Sequence, residues 1–97
     1  MVNAIVLINV ERGQVNPVAQ QMINIDGVTD VFSIAGRYDL AAILRSDSNE
    51  RIAEIVTVII RGIKGILATE TLIAFKAYSK SDLDAAFSIG NEEINDK

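Results

Sequence analysis

The chain has 97 residues, of which 49% are hydrophobic and 23% charged, and this balance predicts one small domain with a packed core. Its formal net charge of −4 argues against the basic surface that binding to a phosphate backbone requires, so we expect no direct contact with nucleic acid. The sequence has no cysteine and no histidine, which excludes disulfides, thiol nucleophiles, imidazole bases and the usual zinc sites. We therefore expect no catalytic residues, no metal and no cofactor.

The first half of the chain predicts a strand, a helix and a second strand. Residues 4–10 form a short apolar run rich in β-branched side chains, which is typical of a strand. The Asn16-Pro17 pair indicates a helix start with asparagine at the N-cap, and the helix is expected to end near Asn24. A turn at Asp26-Gly27 then leads into a second strand over residues 28–35.

The second half predicts the same order of elements. Residues 41–44 form a third strand, and Asp47 with Glu50 forms a capping box for a helix from about Ser48 to Arg61. The fourth strand lies within residues 66–77. The helix is the clearest element, because its apolar side chains recur at spacings of three, four and seven at Ile52, Ile55, Val56, Ile59, Ile60 and Ile63.

The two halves also resemble each other. A shift of about 38 residues places Ile5 on Ile43 and Gly27 on Gly65, so each half reads as one strand-helix-strand unit. Two such units interleave into an α+β, ferredoxin-like βαββαβ fold with a four-stranded antiparallel sheet and both helices on one face.

The strands scarcely alternate between apolar and polar residues, as AIVLINV at 4–10 shows. Both faces of the sheet therefore need cover, and two helices cover only one. We expect a face-to-face homodimer in which the two sheets enclose a common core.

The best candidate site is the turn between strands two and three. Gly36 can adopt a positive φ, and a tight reversal leaves backbone N–H groups free to bind a carboxylate. Asp39 adds a negative group beside them, an arrangement that suits an α-amino acid zwitterion, and the hydroxyls of Thr69 and Thr71 could join it. The same residues also fit an ordinary hairpin glycine, a turn aspartate and two strand threonines.

The motif GRYDL at 36–40, followed by Gly65-Ile66 and then Thr69-Glu70-Thr71, resembles the amino-acid-sensing domain of the Lrp/AsnC (feast/famine) transcription regulators. The resemblance covers about residues 3 to 78. It implies a dimeric α/β barrel that binds a small effector, usually an amino acid, through the ligand-binding residues Gly36, Arg37, Tyr38, Asp39, Thr69 and Thr71. Asp39 would hold the ammonium group and the turn amides the carboxylate. Arg37 replaces an acidic residue of some members, which disfavours a basic amino acid.

The resemblance also implies partners. Strand one begins within the first few residues, so we expect a stand-alone sensor without the family's helix-turn-helix. It would form homodimers and octamers built as tetramers of dimers, and could act on transcription through hetero-assembly with full-length Lrp/AsnC regulators. Residues 1–80 are assigned to the ligand-binding domain and residues 81–97 to a short C-terminal helix and polar tail, in which Leu83 and Phe87 pack on the dimer surface or dock a partner.

Other classes of protein stay open. One is a structural assembly protein without a ligand, and another is a small dimeric α/β-barrel enzyme, against which the lack of histidine and tryptophan argues. The N-terminus has no basic region typical of a signal peptide, and no apolar run approaches the roughly 18 residues of a membrane span. We therefore expect a non-enzymatic, cytoplasmic sensor that binds no membrane.

Overall fold

The computed structural model describes residues 1–76 together with residues 78 and 80, so residues 81–97 and the helix predicted there lie outside the described residues. The strands are β1 (Val2–Val10), β2 (Val28–Ser33), β3 (Leu40–Ser46) and β4 (Ile66–Ala74), and the first helix is α1 (Val15–Ile23). The second helix, α2, is α-helical over Asn49–Glu54 and π-helical over Ile55–Ile60. In the described part of the chain, no helix combines the length and apolarity needed to cross a membrane.

The four strands form one antiparallel sheet in the order β2-β3-β1-β4. Val6 at the centre of β1 lies between Ala42 of β3 and Thr71 of β4. Since β1 and β3 are the inner strands and each unit contributes one of them, the two units are interleaved. The predicted ferredoxin-like fold is confirmed.

Both helices pack on one face of the sheet, which we call the helix face. Alternate residues of β1 and β3 point into this layer and are buried, as are Val18 and Met22 of α1. The predicted apolar stripe of α2 is confirmed, because Ile52, Ile55 and Ile60 are almost completely buried. The core contains no buried polar side chain among the described residues.

Helix α1 begins two residues before the predicted start. Gln14 occupies the N-cap, and its carbonyl accepts a hydrogen bond from the amide of Val18 at 3.0 Å. Pro17 lies within the first turn, where a missing N–H removes no hydrogen bond of the helix. The predicted N-cap at Asn16 is therefore wrong, because proline is tolerated at more than one position of a first turn.

Helix α2 is capped one residue later than predicted. The hydroxyl Oγ of Ser48 accepts a hydrogen bond from the amide of Arg51 at 3.1 Å, and Ser48 has the extended backbone that an N-cap requires. The predicted capping box of Asp47 and Glu50 is therefore wrong. Beyond Glu54 the helix changes to the π pattern, in which an amide donates to the carbonyl five residues earlier. At the end of the helix, the amide of Arg61 donates to the carbonyl of Val56.

The internal repeat appears as a matched pair of glycines after the two helices. Gly27 has φ of +102° and Gly65 has φ of +100°. The carbonyl of Gly27 accepts a hydrogen bond from the amide of Arg45 at the end of β3, and that of Gly65 accepts one from Glu11 at the end of β1, both at 2.7 Å. A backbone hydrogen bond thus joins each unit to the end of the inner strand of the other unit.

The second face of the sheet carries no helix of the described residues, and we call it the open face. Its side chains are largely apolar. Ile5 is 37% exposed, Phe32 52% and Leu72 45%, while Leu7 and Ile43 lie between them. Such a continuous apolar face is what the sequence predicts for the surface that a second copy covers.

Candidate functional site

The turn between β2 and β3 is held at both ends and open at its tip. Strand β2 ends at Ser33, two residues before the predicted end. The amide of Ile34 then donates to the carbonyl of Asp39 at 3.0 Å and closes the turn. The amide of Asp39 donates to the carbonyl of Ile8 at 2.9 Å, which fixes the turn to β1. At the tip, Gly36 has φ of +146°, and no atom lies within 4 Å of the place where a Cβ would be.

The tip presents unused backbone donors. Among the hydrogen bonds of the described residues, none is donated by the amides of residues 35–38. Ala35, Gly36 and Arg37 are exposed and Tyr38 is half-buried, so the tip lies at the surface of the domain. Consecutive free amides in a turn form a concave donor surface that can accept a carboxylate or another small anion.

Asp39 stands at the inner end of the turn and has a structural partner. Its Oδ2 accepts a hydrogen bond from the amide of Val10 at 2.9 Å, in a partly buried position. This bond satisfies an amide at the point where the pairing of β1 with β4 shifts register between Asn9 and Val10. Asp39 therefore holds β1 and the turn together, and Oδ1 accepts no hydrogen bond from any described residue.

Tyr38 links the turn to the far edge of the sheet. Its hydroxyl donates to Oε2 of Glu70 on β4 at 2.6 Å. Glu70 pairs with Leu7 and so lies on the open face, beyond β1 as seen from the turn. The hydrogen bond to Glu70, followed by desolvation and the charge of Glu70, raises the pKa of Tyr38 above its ordinary value, whereas the charge of Arg37 acts to lower it.

The predicted residues divide between the two faces of the sheet. Tyr38 reaches Glu70, while Thr69 and Thr71 pair with Ile8 and Val6, whose side chains lie on the helix face. Within one chain, Gly36, Arg37, Tyr38 and Asp39 share the turn, and of these Tyr38 reaches Glu70, while the two threonines stand on the other face. Thr69 instead lines a cavity of about 280 Å³ beside Arg61, and Thr71 lines an apolar groove beside α2.

Glu70 was not among the residues that sequence reasoning selected for the site. The available signal was period-two alternation, which places Glu70 opposite to Thr69 and Thr71 in a strand. For the described residues, no group of three or more acidic side chains is close enough to hold a metal ion. The site thus offers backbone donors, one cation and carboxylates.

The family follows from comparison with known proteins. The family model described as the Lrp/AsnC ligand binding domain matches residues 3–83. The chain therefore belongs to the Lrp/AsnC ligand-binding domain family, as its sequence motifs predicted. Domains of this family have a regulatory role, bind small-molecule effectors and assemble into oligomers.

Curated relatives include an uncharacterised HTH-type transcriptional regulator of Pyrococcus horikoshii, which is 38% identical over 58 residues. That match covers 60% of this chain and 39% of the relative, so the chain matches well under half of the regulator's length.

Solved structures give the same fold. The crystal structure of a Thermus thermophilus protein, TTHA0845, superposes with a TM-score of 0.78 at 35% identity, and the match covers 82% of this chain and 100% of that one. A transcriptional regulator of Neisseria meningitidis, solved as a complex with L-methionine, has a TM-score of 0.73 at 11% identity, with coverage of 80% and 52%. This second likeness concerns the fold alone.

Proposed function

We propose that this domain senses a small α-amino acid and catalyses no reaction. The observation that carries the proposal is the turn tip, where the amides of residues 35–38 donate no hydrogen bond within the described residues and Asp39 follows them directly in the chain. A second carboxylate, Glu70, lies at the hydroxyl end of the Tyr38 side chain. An amino acid zwitterion has an anionic and a cationic group on one carbon. A surface that offers N–H donors next to carboxylates complements both.

The amides bind the carboxylate of the effector in this proposal, and Arg37 strengthens the local positive potential. Asp39 binds the ammonium group through Oδ1, since Oδ2 is already engaged by Val10. Glu70 supplies a second carboxylate, positioned by the Tyr38 hydroxyl. Because Arg37 is exposed at the tip, an effector with a cationic side chain is disfavoured.

Thr69 and Thr71 stay in the proposal as ligand residues contributed by a second subunit. Their position on the helix face prevents them from meeting the turn of their own chain. Assembly therefore completes the site in this proposal, which couples effector binding to oligomeric state.

The proposed assembly is a homodimer through the open face, with octamers as the larger form. Ile5, Phe32 and Leu72 would be buried against the second sheet, and the exposed apolar area on this face supports that role. Size-exclusion chromatography with light scattering measures the mass directly. A stable monomer at micromolar concentration would contradict the dimer.

Action on transcription is proposed to pass through assembly with Lrp/AsnC regulators that carry a DNA-binding domain. Support comes from the HTH-type regulators among the relatives. Co-expression of the domain with a tagged regulator from the same genome, followed by mass measurement of the purified complex, tests this step. Recovery of homo-oligomers alone would contradict it.

The decisive experiment is a thermal-shift screen of the twenty amino acids, followed by isothermal titration calorimetry of every hit. An effector present at 100 times its Kd raises the free energy of unfolding by about 2.7 kcal/mol, which such a screen detects. Glu70→Gln keeps the shape and the Tyr38 contact but removes the charge, so we expect weaker binding. If no amino acid gives a shift or heat, the alternative of a structural assembly protein replaces the sensor.

A further inference from the structure

An apolar groove runs between α2 and β4 on the helix face, away from the turn and from the open face. Its volume is about 560 Å³. Most of its lining is apolar, and the polar members are Asn49, Thr57 and Thr71. The groove is lined by Asn49, Ile52, Ala53, Val56, Thr57, Thr71, Ile73 and Phe75.

The groove exists because the two helices do not cover the whole sheet. On the helix face of β1, Ala4 is 0% exposed, but its neighbour Ile73 on β4 is 44% exposed. Val6 is fully buried in the same way, and its neighbour Thr71 is exposed. Helix α2 thus packs over β3 and β1, while neither α1 nor α2 lies above β4.

The end of β4 makes the groove more apolar. The strand ends at Ala74, and the next residue, Phe75, lines the groove with its side chain 103% exposed. A large aromatic side chain that borders an apolar groove and is left uncovered by the described residues indicates a further neighbour. A third helix laid beside α2 would supply it.

We propose that residues 81–90 of the same chain fill this groove as an amphipathic helix. Leu83, Ala86 and Phe87 recur at spacings of three and four, which places them on one side of a helix. Lys80, six residues after Ala74, is already helical. In this proposal the helix begins within a few residues of Phe75, which lines the groove.

The short connection favours the chain's own segment over other occupants. A segment tethered a few residues away has an effective concentration in the millimolar range, well above that of any free partner. A second copy has a separate surface to cover, because the open face lies on the other side of the sheet. Because Thr71 lines the groove, a helix seated there would cover it, and of the two threonines only Thr69 would stay open to an effector. The turn residues of the proposed site are not affected.

Disulfide trapping tests the occupant, and the chain suits it because it contains no cysteine. Ala53→Cys on the exposed wall of α2 is combined with Ala86→Cys and oxidised gently. We expect a disulfide within one chain, seen as faster migration on a non-reducing gel at monomer mass. Gln20→Cys on the exposed side of α1, combined with Ala86→Cys, is the matched control and should remain reduced.

Each other result overturns the proposal. A disulfide between two chains would assign the groove to a second copy's segment, and equal or absent trapping in both pairs would leave residues 81–90 without a place in the groove. A charge test gives an independent readout. Phe87→Asp should lower Tm by about 5 °C or more, whereas Ser88→Asp, which adds the same charge one position away, should lower it by only about 1 °C. Equal effects of the two variants would also contradict the proposal.

Discussion

The hydroxyl of Tyr38 and the carboxylate of Glu70 lie 2.6 Å apart, although 32 residues separate them in the chain. Tyr38 belongs to the turn before β3, and Glu70 to β4, so their hydrogen bond crosses β1 on the open face. It ties the proposed effector turn to the strand that forms one edge of the sheet. A ligand bound at the turn and a second copy packed on the open face would both affect the hydrogen bond between Tyr38 and Glu70.

The first prediction concerns the titration of Tyr38. Because its pKa is raised, the hydrogen bond to Glu70 contributes fully to stability below pH of about 10, the ordinary pKa of tyrosine, and its contribution is lost as the pH rises through the folded-state pKa. We expect Tyr38 to ionise above a pH of about 10, as measured by phenolate absorbance in the variant Tyr78→Phe, in which Tyr38 is the single tyrosine. Glu70→Ala, which removes both the hydrogen bond and the charge, should bring the Tyr38 curve back toward a pH of about 10, and no movement would contradict the assigned cause.

The second prediction concerns Asp39 as a structural residue. Asp39→Ala leaves the partly buried amide of Val10 without its acceptor, which should cost about 1–3 kcal/mol of unfolding free energy. Chemical denaturation measures this loss. Asp30→Ala is the control, since Asp30 is exposed and, among the described residues, accepts a hydrogen bond from its neighbour Thr29 alone, and it should cost less than about 0.5 kcal/mol. Equal costs would remove the proposed role in joining β1 to the turn.

The third prediction separates backbone strain from crowding at glycine. Gly27 and Gly13 both have positive φ, of +102° and +82°, so alanine is strained at either position. A Cβ at Gly27 would lie 2.8 Å from Cδ1 of Ile55, whereas nothing lies within 4 Å of one at Gly13. Gly13→Ala should cost about 1 kcal/mol, and Gly27→Ala about 1–3 kcal/mol more. Denaturation midpoints of the two variants check that Gly27→Ala is the more destabilised. If the Ile55 side chain moved aside freely, the two variants would lose the same stability.

The fourth prediction tests the open face as the dimer surface. Leu72 on the open face is 45% exposed, and Ile23 on α1 is 46% exposed, so the pair offers equal apolar surface in different places. Leu72→Glu should shift the oligomer toward monomer by light scattering, because a charge facing the second sheet would lose its water. Ile23→Glu should leave the mass unchanged. Dissociation by both variants, or by neither, would argue against this surface.

The fold could be predicted because its determinants are local and periodic. The stripe of Ile52, Ile55 and Ile60 specifies a helix, and the nearly continuous apolar strands specify a sheet that needs cover on both faces. The positions of caps were missed by one or two residues, since Asp47 and Ser48 are both good N-caps and only the backbone decides between them.

The site was predicted only in part, because its long-range contacts depend on the register of the strands. Gly36 and Asp39 are visible as a turn motif, but the bond from Val10 to Asp39 joins residues 29 positions apart and depends on the sheet register. The contact of Tyr38 with Glu70 depends on the same register. The threonines were grouped with the turn as hydroxyl donors and through the family resemblance. Neither argument uses the period-two alternation of β4, which places them on the face opposite to Glu70.

Helix α2 has one further property. A π-helical turn holds one residue more than an α-helical turn, and here the wider turn lies between an ordinary first turn and the glycines that follow the helix. The segment Ile55–Ile60 therefore carries a spare position, for which exposed Val58 is the natural candidate. Deleting Val58 should return α2 to a regular α-helix without disturbing the cap at Ser48 or the turn at Gly65.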